Sequence, residues 1–496
     1  MEQGSRRAAL AWAVALALVT AAPLASADWP RYGGDDLLTN YVPAGRAAGL
    51  STATVQAIGE QWNVALDAGI VASPLYAETV IADGRSEDVV YLATEAGSVF
   101  ALRARDGTVL WQRKVSGTVT TCDSSYGISS TPVLDRARNL LYVIGADGLL
   151  HALDLSTGAT AQGWPLRIIE RTDVEYVWGG LALSGDRLYV PVASYCDKPA
   201  ADGTVADGRL VAVDVRDVVV TSTFDVVPGP SNLGGIWGYG GTSIDPDTGH
   251  LWTATGNSWV YDSECDCIVE TIGYGEMVVE LDRDLREVAW NRPGGIPTVE
   301  DNDFGATPLL FQPPGCPPLA AANAKNGYVY VWRRDDLFGG PIWSAHVGPD
   351  DFVDAFIAQP SYSPALNMLF ISDARDYDDH GNVRGRDAVV AFAVAPNCSL
   401  PVRPTWTAPG IGRGPKTPPL IVDDLVFVPG GFDRSVVALD ARTGRTLWTA
   451  DLSGAVLAPI AFGDGSVLVA DTSGMLHAFG LPRLGRGVGN RNLFAI

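Results

Sequence analysis

Several things this 496-residue chain has little of narrow its reading at once. Basic residues are scarce: 35 Lys and Arg stand against 57 Asp and Glu, a formal net charge of −22, which argues against nucleic acid and anionic membranes as partners. None of the six cysteines lies in a C-x-x-C-H run, so no haem-attachment motif is present. Helical periodicity is nearly absent. The one long apolar run falls within residues 1–27, behind Arg6 and Arg7 and ahead of Ala25-Ser26-Ala27. That layout predicts a secretory signal peptide over 1–27, cut before Asp28. The run is too short and too cleanly ended for a membrane anchor, and no cysteine follows it to carry a lipid.

What is present is a repeat. Val436 to Trp448 reads VVALDARTGRTLW, and degraded copies occur at Val99 to Trp111, Leu149 to Trp164 and, without the tryptophan, Leu210 to Phe224. Upstream starts at Pro74, Pro132, Gly180, Gly241, Pro308, Pro360, Pro418 and Pro459 divide the chain into eight units. Their spacing of roughly forty to fifty residues is that of propeller blades. Each unit holds four short β-rich runs. In the Asp-x-x-Thr-Gly turn between the third and fourth runs, Asp accepts backbone hydrogen bonds and Gly supplies a positive φ. The following tryptophan wedges between neighbouring sheets.

The fold class is therefore all-β, an eight-bladed β-propeller over residues 28–481, with a Gly/Arg-rich tail over 482–496. The eighth unit ends at Leu481 without a fourth strand, whereas Gln61 to Leu66 has that strand's character. The ring is expected to be closed by this N-terminal strand.

Strand order also assigns faces. In an up-and-down blade, links between strands two and three share one face with the links between blades, and the other links share the opposite face. Cys316 and Cys398 both fall on that opposite face, in adjacent blades five and six, which predicts a bridge between them among the 15 possible pairings. Cys122, Cys196, Cys265 and Cys267 fall on the first face, where Cys122 with Cys196 and Cys265 with Cys267 are the expected pairs. The longest, most polar links are on this first face too, which marks it as the binding face.

Asp28-Trp29-Pro30-Arg31-Tyr32-Gly33-Gly34, the segment from Trp237-Gly238 to Gly256-Asn257, Asp301-Asn302-Asp303-Phe304-Gly305 and Lys325-Asn326-Gly327-Tyr328 resemble the eight-bladed quinoprotein alcohol dehydrogenases, above all their polyvinyl-alcohol-dehydrogenase-like branch. The resemblance covers nearly the whole chain after residue 27. It implies PQQ-type repeats, pyrroloquinoline quinone (PQQ) and Ca²⁺ as cofactors at the mouth of the ring, and a small-molecule alcohol substrate. With no haem motif in the chain, electrons would pass to a separate acceptor. By the same resemblance Asp303 is the catalytic base, Trp237 and Lys325 bind the quinone, and Asn257, Asp303 and Asp197 are metal ligands. Taken singly, each has a blander reading: an Asn capping a turn, a solvated acidic link, an exposed lysine, an indole packed between blades.

Two departures stand against the family pattern. Its vicinal Cys-Cys pair is missing, with Cys122 alone near that link, and the Asn-Trp pair before Pro360 reads Ile357-Ala358. They favour a rival reading, a non-catalytic propeller whose rim binds protein or saccharide. The acidic run from Asp373 to Asp379 lacks the EF-hand spacing and is read as a solvated loop. His151 and His477 take equivalent third-strand positions and are read as packing residues.

Overall fold

The computed structural model describes residues 27–483 apart from 83, 122–123, 195–199, 230–233, 263–266, 272, 295, 297–301, 349–355, 378–382 and 413–416. Asp197, Cys122, Cys196, Cys265, most of the leader and most of the tail lie outside the described residues, so the two disulfides expected on the first face do too.

Eight antiparallel sheets follow one another in chain order. Blade 1 comprises Leu75–Ala82, Arg85–Ala93, Ser98–Arg103 and Val109–Lys114. Blades 2 to 7 repeat this pattern, from the inner strands Val133–Asp135, Ala182–Ser184, Ser243–Ile244, Leu309–Phe311, Ser361–Ser363 and Leu420–Val422 respectively. In blade 8, Ala461–Gly463, Ser466–Ala470 and Met475–Gly480 are completed by Gly59–Ala65 as the outermost strand. The ring thus closes through the N-terminal strand, two residues earlier at its start than the sequence pattern predicts. No α-helix occurs among the described residues, only the 3-10 turns Ala44–Arg46 and Val55–Ala57. Among the described residues no helix is long and apolar enough to cross a membrane.

Middle strands are sandwiched between neighbouring blades and read as continuous apolar runs; Leu425–Pro429, LVFVP, is buried throughout. Outer strands face solvent, and Thr446–Asp451 has no buried residue. The repeat tryptophan does more than wedge. The indole of Trp111 donates to Leu155 O at 2.9 Å, that of Trp62 to Ala104 O at 2.7 Å and that of Trp406 to Ala441 O at 3.0 Å. Each ring lies on the turn glycine of the next blade. A Cβ on Gly158, Gly107 or Gly444 would come within 2.7, 2.7 or 2.5 Å of that ring. These glycines have φ of 67°, 72° and 71°, so the repeat glycine is required twice, for conformation and for close approach. Trp62 belongs to the closing strand, and its dock on blade 1 fastens the ring.

Residues 28–42 run inside the ring along successive inner strands. Trp29 bridges Tyr76 in blade 1, and Pro30 O accepts from Leu134 in blade 2. The carbonyls of Asp36, Leu37 and Thr39 accept from Ile244, Leu310 and Tyr362 in blades 4, 5 and 6. Tyr41–Val42 then pairs parallel with Ile421 and Val422 of blade 7. Arg31, 2% exposed, donates to Thr242 O and, at 3.2 Å, to Asp36. The segment fills the channel and leaves a depression at one mouth. On the opposite face the Cys316–Cys398 disulfide joins blades 5 and 6, with the Cα atoms 5.6 Å apart.

Candidate functional site

At the open mouth, the ladder between the second and third strands of blade 4, Leu251–Ala254 and Val278–Leu281, runs on past its end. Thr255 N donates to Met277 O at 3.0 Å and Glu276 N to Gly256 O at 2.9 Å. Gly256 is needed here for space. A Cβ on it would lie 2.4 Å from the Trp237 indole and 2.9 Å from Asp303 Oδ1. With the glycine in place, the Asn257 N–H donates to Asp303 Oδ1.

Asp303 lies in the link between blades 4 and 5, and Lys325 in the link between strands two and three of blade 5. Lys325 Nζ meets Asp303 Oδ2 at 2.5 Å, and Lys325 N donates to Asp303 O at 2.9 Å. Both carboxylate oxygens of this buried group are therefore held, and the pair is drier than a surface ion pair: its side chains are 5% and 17% exposed.

A cavity of about 250 Å³ opens beside this pair, lined by Trp178, Trp237, Tyr239, Asp303, Gly305, Lys325 and Ile357. The size is near the lower end of ligand pockets, roughly 300–1,000 Å³. Its floor rests on the N-terminal segment, for a Cβ on Gly240 would lie 2.8 Å from Leu38 and 3.0 Å from the Tyr32 ring. Burial pushes the hydroxyls of Tyr32 and Tyr239 up, so both stay neutral. On one side the Trp178 and Trp237 rings are 6.4 Å apart with 33° between their planes. Behind Trp178, Tyr126 and Tyr176 meet it edge-on at 5.2 and 5.1 Å. Glu95 supports this wall, accepting from Ser129 Oγ at 2.6 Å and Gly127 N at 2.7 Å.

Trp237, Asp303 and Lys325 thus line one cavity, with Asn257 joined to it through Asp303. All four lie in links of the face that strand order assigns to them. Asn257 is 2% exposed, yet neither Oδ1 nor Nδ2 has a hydrogen-bond partner, and Trp237 Nε1 is also unpartnered. Leaving a buried amide unsatisfied costs about 1–3 kcal/mol per group, a cost that a partner from outside the chain would relieve. Among the described residues no cluster of three or more His, Cys, Asp and Glu side chains could hold a metal, so a cation here would need the Asn257 amide oxygen. Ile357 packs on Gly305, and this places the second departure from the family pattern in the cavity wall.

A family model described as "Outer membrane protein assembly factor BamB" matches residues 45–220 and 382–480. The chain belongs to this PQQ-repeat family. Two curated relatives are the polyvinylalcohol dehydrogenases of a Pseudomonas species and of a Sphingopyxis species, 23% identical over 82% of the chain and 21% identical over 73%. The matches span 66% and 60% of the relatives' own lengths. The quinohemoprotein alcohol dehydrogenase of Comamonas testosteroni superposes over 93% of the chain and 82% of its own, with a TM-score of 0.70 and 16% identity. The protein is an eight-bladed propeller of PQQ-type repeats, and it is similar to the quinoprotein alcohol dehydrogenases that its motifs resemble.

Sequence reasoning did not single out Trp178, Tyr239 or Glu276 in this PQQ-repeat propeller. For the first two a signal existed. The two blade starts without proline are each preceded by Trp-Gly, in Trp178-Gly179-Gly180 and in Trp237-Gly238-Tyr239-Gly240-Gly241, so successive links deliver an indole to the same mouth. Glu276 has no such pattern around it.

Proposed function

We propose that the protein is an exported quinoprotein dehydrogenase that oxidises an alcohol-type substrate with PQQ and Ca²⁺ at the mouth of the ring. The observation that carries the reading is the cavity itself: an indole face and a lysine–aspartate pair line one small space, and the aspartate is tied to Asn257, whose buried amide is unpartnered. When bound, the quinone supplies the two-electron acceptor. The chain supplies the rest. Trp237 offers a flat apolar face to a planar ring, and Lys325 offers positive charge to its oxygens. Asn257 and Asp303 offer hard oxygen donors to the cation. Asp303, at the cavity wall, takes the hydroxyl proton as general base. The leader over 1–27 would send the 28–481 propeller across a membrane, and reduced cofactor would hand its electrons to a separate acceptor.

Isothermal titration with PQQ in the presence of Ca²⁺, together with dye reduction over a panel of alcohols, tests the reading. Quinone binding with turnover abolished in Asp303→Asn supports it. Absence of quinone binding overturns it in favour of a non-catalytic propeller binding protein or saccharide, the reading that Ile357 in the cavity wall favours.

A further inference from the structure

We propose that Glu276 is the second carboxylate ligand of the cation position formed by Asn257 and Asp303, a role the motif pattern gives to Asp197. The inference rests on the cation-binding reading above and adds to it a residue that no motif indicates. Glu276 stands directly opposite Gly256, through the hydrogen bond from its N–H to Gly256 O. A Cβ on Gly256 would meet Trp237 and Asp303, and the hydrogen bond that the Glu276 carboxylate accepts from the Asn302 backbone, one residue before Asp303, brings that carboxylate to the same region.

Glu276 is fully buried. Arg292 holds Oε2, and the Asn302 backbone, adjacent to Asp303, donates to the same carboxylate. Oε1 has no hydrogen-bond partner. Asn257, across the ladder, is the independent sign of a ligand, since its buried amide is also unpartnered. Two buried carboxylates in one region repel, and a divalent ion bound by both removes the repulsion. The backbone of Glu276 is left-handed at φ 56°, a conformation uncommon for a residue with a side chain. Formally Glu276 and Asp303 balance Arg292 and Lys325, so the cation would bring excess positive charge to be met by an anionic cofactor. The bland account, in which Glu276 only pairs with Arg292, leaves Oε1 and the Asn257 amide unexplained.

The test is Ca²⁺ titration of the full-length protein without quinone, with Tb³⁺ luminescence lifetimes in H₂O and D₂O to count the waters on the bound ion. In Glu276→Gln, Ca²⁺ affinity should fall by about ten- to a hundredfold and the bound ion should gain a water. If Glu276→Gln does not fold, Glu276→Asp keeps the charge and withdraws the oxygen by one methylene, with the same expected direction. Wild-type affinity and water count in a folded Glu276 variant, with binding lost in Asp303→Asn, overturn the proposal and leave the cation site standing. No Ca²⁺ binding by wild type, with or without PQQ, overturns both.

Discussion

Between blades 1 and 2 the outer-strand Trp111 is 8% exposed, lies on Gly158 of the next turn and donates to Leu155 O. Between blades 4 and 5 the corresponding Trp290 is 37% exposed and meets Phe338 edge-on at 5.9 Å. Family matching divides the chain in much the same way. It covers 45–220 and 382–480, where the docks of Trp62, Trp111 and Trp406 are found, and leaves out the stretch between, with Trp237, Asn257, Asp303 and Lys325. The repeat signature is thus a record of how blades are latched, and the residues with chemical potential sit where the repeat has lapsed. A blade junction cannot easily serve both ends: a latch demands a fixed glycine turn, whereas the site needs long links free to bring side chains over the channel.

The largest effect that would sharpen this comparison is on activity. Asp303→Asn should lower turnover by about a hundred- to ten-thousandfold, with a smaller fall in the denaturant midpoint because the Lys325 charge loses its partner. A large stability loss instead would mean that the Lys325 pair is structural. Next, Trp111→Ala should destabilise the ring by about 3–5 kcal/mol in equilibrium unfolding. Trp290→Ala should cost about 1 kcal/mol or less, since surface positions away from special features are tolerant. Equal losses would break the contrast between junctions.

The junction between blades 5 and 6 has no turn-glycine dock among the described residues; Trp343 Nε1 donates to Pro401 O at 3.2 Å, and the disulfide joins the same two blades. Replacing Cys316 and Cys398 together by Ser should cost about 2–4 kcal/mol, measured against wild type under non-reducing conditions. Gly158→Ala should cost about 1–3 kcal/mol, from its φ and from contact with the Trp111 ring.

The smallest effect is a slope. Burial pushes the Glu95 carboxyl above the ordinary carboxylate range, so the folded state holds this proton more tightly than the unfolded chain. Its contribution to stability is complete at pH values below the ordinary range and is lost as pH rises through the raised value. Stability of Glu95→Gln, followed across that window, should fall less with pH than that of wild type. An unchanged slope would remove Glu95 from the accounting.

Much of this was legible because strand order is local information. Apolar runs and turn residues mark each strand, and counting strands places every link on one of two faces. That parity assigns Asp197, Trp237, Asn257, Asp303 and Lys325 to one face and pairs Cys316 with Cys398; Asp197 lies outside the described residues. It did not reach the path of residues 28–42. Asp28-Trp29-Pro30-Arg31-Tyr32 reads as a motif, but not as a segment that visits the inner strands of successive blades. Nor did it foresee the second duty of the repeat glycines, because the indole that covers each one comes from another blade.

The sequence by itself determined an all-β ring of eight units, its closure by an N-terminal strand, the face of each link and one cross-blade disulfide. These follow from periodicity and turn chemistry within stretches of a few tens of residues. Only the tertiary structure decided that Asp303 is bound at both oxygens, that Trp178 faces Trp237, that Ile357 lines the cavity and that Glu276 is buried against Arg292 and the Asn302 backbone. Those relations join residues from different blades, and they depend on how side chains fill the channel that the ring encloses.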